Sequence, residues 1–241
     1  MKKLLFAIFI VFFSPDAGYS QNIGIVAGFN YGGPLPTKFK DSTSGKPIPG
    51  LMAGVSYSIP ISERFSFSPA LYYSFHGTEY SQSFTRDTTV TIVINNVSGK
   101  VPSFYTAYVN GSMHLHYLDI PLLFSYSIKK TRLLLGPYFT AKIAGKDAGN
   151  VRVVIGKGGF FDDYIEPYNN FKIIRKVEQG LMIGVNSPIY KNLCIEIRVS
   201  RSFFSFYQPD KLPDRGQGKS SMFNTFVHVG LVYNVKCLNE K

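Results

Sequence analysis

From Arg64 onward the residues fall into two alternating sets. Phe65, Phe67, Pro69, Leu71, Tyr73 and Phe75 make one; Ser66, Ser68, Ala70, Tyr72, Ser74 and His76 make the other. Period-two alternation marks a β-strand whose faces meet unlike surroundings. The split recurs along the chain, as in Leu133, Leu135, Phe139 and Ile143 against Arg132, Tyr138, Thr140 and Lys142. It predicts eight strands, near residues 22–31, 49–60, 64–77, 113–128, 131–144, 176–187, 191–203 and 222–236. Each is long enough to cross a bilayer as a tilted strand, which takes about 9–11 residues.

The connections sort by length. Those at 60–63, 129–130 and 188–190 are short, whereas those at 32–48, 78–112, 145–175 and 204–221 are long. Transmembrane barrels alternate short periplasmic turns with long outer loops in this way; a soluble sandwich has no reason to. The predicted fold is therefore all-β: an eight-stranded antiparallel transmembrane β-barrel in meander order, with short periplasmic turns, long extracellular loops and both termini periplasmic. Residues 88–109, TTVTIVINNVSGKVPSFYTAYV, admit a further hairpin. They are read as the third and fourth strands continuing above the membrane, with a ten-stranded barrel as the alternative.

The segment YLDIPLLFSY, residues 117–126, tests this scheme because Asp119 and Pro121 interrupt an apolar strand. Leu118, Ile120, Leu122, Phe124 and Tyr126 share one face, toward lipid, so Asp119 points into the lumen. A carboxylate there can be paired, whereas on the lipid face it would be costly. Pro121 loses one ladder donor, tolerable at a bulge. The same parity sends Arg132, Lys142, Glu178, Glu196 and Arg198 inward. In a barrel this narrow, side chains fill the interior. These six charges are thus expected to form a neutralising plug, with a narrow gated pore as the alternative. Arg132, near a turn, can instead reach back to the interface.

The chain opens MKKLLFAIFIVFFSPDAGYSQ. A basic start, ten apolar residues from Leu4 to Phe13, and small residues at Gly18 and Ser20 read as a secretory signal peptide, residues 1–20, cut before Gln21. Residues 21–241 then form the barrel domain. No later segment offers the roughly 18 consecutive apolar residues of a spanning helix. Tryptophan is absent beside 21 Phe and 16 Tyr, and only 17% of residues are charged, against about 25% in soluble domains. The formal net charge of +11 is scattered rather than clustered, which argues against a nucleic-acid partner. It suits anionic lipid head groups instead. Two cysteines, Cys194 and Cys237, are too few for a disulfide framework, and their parities place them on opposite faces.

YLDIPLLFSY, RLLLGPYFTA at 132–141, NIGIVAGFNYG at 22–32 and EQGLMIGV at 178–185 together resemble the small outer-membrane β-barrel proteins of Bacteroidetes known as the PorT-like family. The resemblance spans essentially the whole mature chain and implies a fold and strand order rather than a chemistry. Some members of that family assist type IX secretion. In the last strand, His228, Gly230, Tyr233 and Val235 resemble the insertion signal read by the barrel-assembly machinery. That signal usually ends a chain, whereas KCLNEK follows here.

Catalysis and metal binding find weak footing. His114 and His116 share one strand face without an acidic cluster to complete a metal site, and are read as polar residues near the outer rim. Ser200 and His228 can meet on the lumen side, with Glu196 one step further on, but no GxSxG elbow accompanies them. Gly156-Lys157-Gly158-Gly159 lacks the P-loop spacing and a following helix, so it reads as a loop. Phe160, Phe161, Tyr164, Tyr168 and Phe171 give that loop an aromatic density suited to a partner or to folding over the barrel mouth. The expectation is a non-catalytic outer-membrane barrel with a structural or interaction role. Its expected partners are outer-membrane lipid, the assembly machinery and other envelope proteins, and no cofactor is expected. The alternatives are a narrow porin-like channel and, further off, a lipid-modifying enzyme.

Overall fold

The computed structural model describes residues 22–36, 42–94, 97–157, 160–169, 174–206 and 222–236. The expected signal peptide, Phe171 and Cys237 lie outside them. Ten strands follow one another: β1 (Asn22–Pro36), β2 (Ser42–Ile48), β3 (Gly50–Pro60), β4 (Phe65–Ile94), β5 (Val97–Ile128), β6 (Thr131–Lys157), β7 (Phe160–Asn169), β8 (Val177–Tyr190), β9 (Leu193–Ser202) and β10 (Met222–Lys236).

Antiparallel pairing runs from β1 through β3, β4, β5, β6, β8, β9 and β10, and β10 returns to β1. The ring is closed. In lipid no water can satisfy a free strand edge, so closure is what lets a sheet span a membrane. The seam is long, from Asn22 opposite Lys236 to Pro36 opposite Met222, with Gly28 facing Gly230 midway.

The faces are inverted relative to a soluble protein. Phe29, Leu51, Val55, Leu135, Ile183 and Leu231 point outward and are each about half exposed or more, while Asp119, Glu178, Glu196 and Arg198 are buried within. An outward apolar band around a polar interior is the arrangement a bilayer selects.

Residues 88–109 continue the third and fourth strands above the ring, as expected, and the remainder of the connections at 78–112 and 145–175 is largely strand as well. β4 and β5 stay paired from Phe65 opposite Tyr126 to Ile94 opposite Val97. From Thr78 to Ile94 this arm is roughly 55 Å of extended chain, at about 3.4 Å per residue. β6 likewise climbs to Lys157 against β5, and β7 folds back on it. β2 pairs with the shoulder of β4. The ring therefore carries a projecting sheet in the order β2-β4-β5-β6-β7. Its β4–β5 arm matches the expected continuation of the third and fourth strands; the alternating pattern did not reveal β2, the upper part of β6 or β7, because a sheet standing in water has no lipid face to enforce a strict split.

Two local corrections follow. The turn expected at 188–190 is Lys191–Asn192, with β8 continuing through Tyr190. Pro121 sits in a ladder whose register continues past it; the bulge lies nearby, between His116 and Tyr117 of β5. There Ile143 of β6 is left unmatched, since Tyr117 faces Lys142 and His116 faces Ala144. The extra residue reverses the parity of β6. Below it the even residues point in; above it Asp147 does, fully buried. Gly145 follows the bulge at φ 150°, in the region that disfavours a side chain.

Candidate functional site

The barrel interior gathers the chain's buried polar chemistry. Asp119, on β5, accepts hydrogen bonds from Ser74 of β4 at 2.5 Å and from Thr140 of β6. Ser74 has one proton to give and gives it to Asp119. The 3.1 Å contact between Ser74 Oγ and His76 Nε2 is therefore donated by the imidazole. His76 Nδ1 is left as a buried acceptor without a hydrogen bond. Glu178, on β8, takes two hydrogen bonds from the Asn224 amide at 2.8 and 2.7 Å and one from Tyr117 at 3.4 Å.

A second knot lies beside it. Arg198 of β9 is 1% exposed. Its Nε is 3.0 Å from Glu196 Oε1, and Asn186 donates to the other Glu196 oxygen at 3.0 Å. The guanidinium lies over the Tyr72 ring, 4.6 Å from its centroid, and reaches the sulfurs of Met182 and Met52. A cation held off water this way needs both its carboxylate and its aromatic neighbour.

Lys142 is half-buried, its Nζ donating to the Ile174 carbonyl at 3.0 Å. Arg132 stands half-buried at the start of β6, beside the Lys129–Lys130 turn and opposite Ser127 and Asn186. The geometry thus joins Asp119, Glu178, Glu196 and Arg198 to interior partners and leaves Lys142 and Arg132 toward the two ends. Ser74, His76, Thr140 and Asn224 also belong to the interior network. Parity alone pointed to Ser74, His76 and Thr140, but nothing in the sequence says which of many inward hydroxyls meets a carboxylate.

Above this network the lumen is capped. Ile174, fully buried, and Phe206, 1% exposed, pack with Met113, Leu115 and Tyr117. Arg175 N donates to the Phe206 carbonyl at 3.0 Å, and the Arg175 side chain to Ser205 O at 3.1 Å. Tyr80 closes the β6 side by donating to Asp147 at 2.5 Å. Toward the short-turn end, Val26, Met52, Ala70, Tyr72, Cys194 and Val232 form one apolar cluster, and Leu123, Leu134, Tyr138 and Met182 another. Among the described residues, the cavity enclosed by His76, Tyr117, Asp119, Glu178, Asn224 and His228 measures about 20 Å³, room for roughly one water.

The Ser200–His228 contact exists, at 3.0 Å, with both residues buried. Glu196, however, is engaged by Asn186 and Arg198. His114 and His116 lie on the outer face of β5, stacked with Phe75 and Tyr73, and Tyr73 Oη is 2.6 Å from His116 Nδ1. No group of three or more metal-ligating side chains occurs among the described residues. On β10, His228 and Gly230 point inward at the seam while Tyr233 and Val235 face out. Gly156 and Lys157 end β6 as a strand rather than a loop.

A closed antiparallel ring, apolar outside and charged within, is a transmembrane β-barrel. Residues 19–208 match the family described as outer membrane protein beta-barrel domain, and the chain belongs to it. It is an outer-membrane protein surrounded by lipid. Among solved structures it is similar to Ail, the attachment invasion locus protein of Yersinia pestis, at 10% identity over 90% of this chain and 100% of that one, TM-score 0.37. Neisserial surface protein A aligns at 9% identity over 88% and 96% of the two chains, TM-score 0.37. OprG of Pseudomonas aeruginosa aligns at 10% over 90% and 97%, TM-score 0.36. No curated protein sequence matches the chain.

Proposed function

We propose that this protein is a plugged, non-catalytic barrel that anchors an extracellular β-sheet for contact with other envelope components. The observation that carries the reading is the filled lumen. The Asp119 and Arg198 networks occupy the interior, and Ile174 and Phe206 cap it. Conduction would require opening both at once. The projecting sheet, by contrast, offers side chains on both faces of β7, with Asp163 through Pro167 all exposed.

Catalysis is not part of the proposal. The buried Ser200–His228 pair has no described carboxylate to orient the imidazole, and the space beside it admits about one water. Membership of the PorT-like group and insertion by the barrel-assembly machinery are carried by the strand motifs and by His228, Gly230, Tyr233 and Val235. An even number of ring strands puts the N-terminal end of β1 and the C-terminal end of β10 together, on the periplasmic side of that reading.

Planar-bilayer recording on the purified protein tests the plug. The expected record is closed, and it stays closed when Ile174 and Phe206 are both changed to Ala, because the Asp119 and Arg198 networks still fill the interior. Open conductance in the unaltered protein would overturn the reading. Lipid hydrolysis or acyl transfer that is abolished by His228→Ala would overturn its non-catalytic part.

A further inference from the structure

Outside the barrel, in the periplasmic half of its lipid face, the outward side chains leave a trough. Tyr126, Leu133 and Val185 form one wall, and Phe124, Leu135 and Ile183 the other, neighbours across β5, β6 and β8. The floor is strand backbone and includes Gly184. The trough extends onto β9 and measures about 590 Å³, with almost wholly apolar walls. At its other end Phe65 packs against Tyr126, ring centroids 4.9 Å apart.

Three cations gather at that end. Arg64 precedes Phe65, and its carbonyl accepts from Ser127 N at 2.8 Å, which holds it two residues from the Lys129–Lys130 turn. All three side chains are exposed, with Glu63 the adjacent carboxylate. Lys129 sits at φ 55°, a conformation a two-residue turn usually gives to Gly, Asn or Asp. An apolar trough inside the membrane with a basic cluster at the water line has the two halves of a phospholipid: tail below, phosphate above.

We propose that this trough and its cations form a binding site for one anionic phospholipid of the periplasm-facing leaflet. The tail lies between the two walls, and Arg64, Lys129 and Lys130 hold the head group. A cation near the surface is worth about fivefold in binding an anionic lipid, so the three give a preference on the order of a hundredfold over a zwitterionic lipid.

The chain has no tryptophan, so Tyr126→Trp introduces a single fluorophore into the trough wall. The mature barrel is reconstituted in vesicles containing phosphatidylglycerol or phosphatidylcholine with brominated tails, and quenching is followed against mole fraction. Phosphatidylglycerol should quench at far lower mole fraction, and Arg64→Gln, Lys129→Gln and Lys130→Gln together should remove the difference. A reporter at Ile25→Trp, lipid-facing on β1 near the same end of the barrel and away from the trough, should show no such preference. Equal preference at both reporters would mean a general anionic annulus and would overturn the site, as would a preference that survives loss of the cations. Should Tyr126→Trp not fold, judged by gel mobility before and after heating, Phe124→Trp carries the same expectations.

Discussion

Replacing Arg198 by methionine asks how the plug is held. The guanidinium is 1% exposed, paired with Glu196 at 3.0 Å and stacked over Tyr72 at 4.6 Å. Its side chain already lies among the sulfurs of Met52 and Met182, so methionine fills the space with little packing loss. What goes is the charge. Glu196 is then buried with only the Asn186 amide, and breaking a buried pair in this way costs about 3–5 kcal/mol. Glu196→Gln strands the cation instead, though Tyr72 retains a cation–π contact worth about 2 kcal/mol. The double change removes both charges and should cost less than Arg198→Met alone, giving a coupling of at least about 2 kcal/mol. Urea unfolding in lipid vesicles, read as loss of the fast-migrating unheated band, supplies the four stabilities. If Arg198→Met costs under about 1 kcal/mol, or the two single changes simply add, the pair does not hold the lumen.

Three further outcomes follow from other parts of the molecule. Gly145→Val should destabilise the barrel by roughly 1–3 kcal/mol in the same unfolding assay, since at φ 150° its Cβ would meet the His114 carbonyl; a neutral result would remove the bulge as a fixed feature. Replacing residues 85–106 with an Asn-Gly turn between the paired Phe84 and Ala107 should leave the heat-dependent gel shift intact, because that arm stands outside the ring; its loss would mean the arm supports closure. The third concerns Asp163, whose carboxyl is held below its ordinary value near 3.8 by hydrogen bonds from Arg152 and by its charge. A depressed carboxylate stabilises above its unfolded value and stops doing so as pH falls through the folded one. Hydrogen exchange of β7 amides should accordingly quicken relative to the barrel strands only below about pH 4, and an exchange ratio flat from pH 6 to pH 3 would count against the pair.

The ring strands were legible because lipid imposes a strict rule: each outward residue must be apolar, so alternation in Phe65–Phe75 or Leu133–Ile143 carries the face directly. Asp119 was placed by that rule alone. The rule lapses in two places. Above the membrane both faces of β4, β5 and β6 meet water or loops, so alternation weakens there: 88–109 was still legible as strand, whereas the top of β6 and β7 was not. At Ile143 one unmatched residue reverses the parity of β6, which hid Asp147 and its bond to Tyr80. Partner choice within the lumen was also beyond reach. Parity lists the inward residues, but that Thr140 rather than another hydroxyl meets Asp119 depends on register between strands, a non-local property.

The seam between β1 and β10 has a kinetic consequence. Asn22 and Lys236 meet across almost the whole chain, so this pairing has the greatest sequence separation of any among the described residues and cannot form until β10 exists. Loop-closure entropy is met before such a contact returns anything. Until the seam forms, the sheet has two open borders, each a row of unsatisfied amides, one on β1 and one on β10. The rate at which this chain becomes a barrel is therefore set less by its strongest contacts than by how long those two borders can be kept apart from everything except each other.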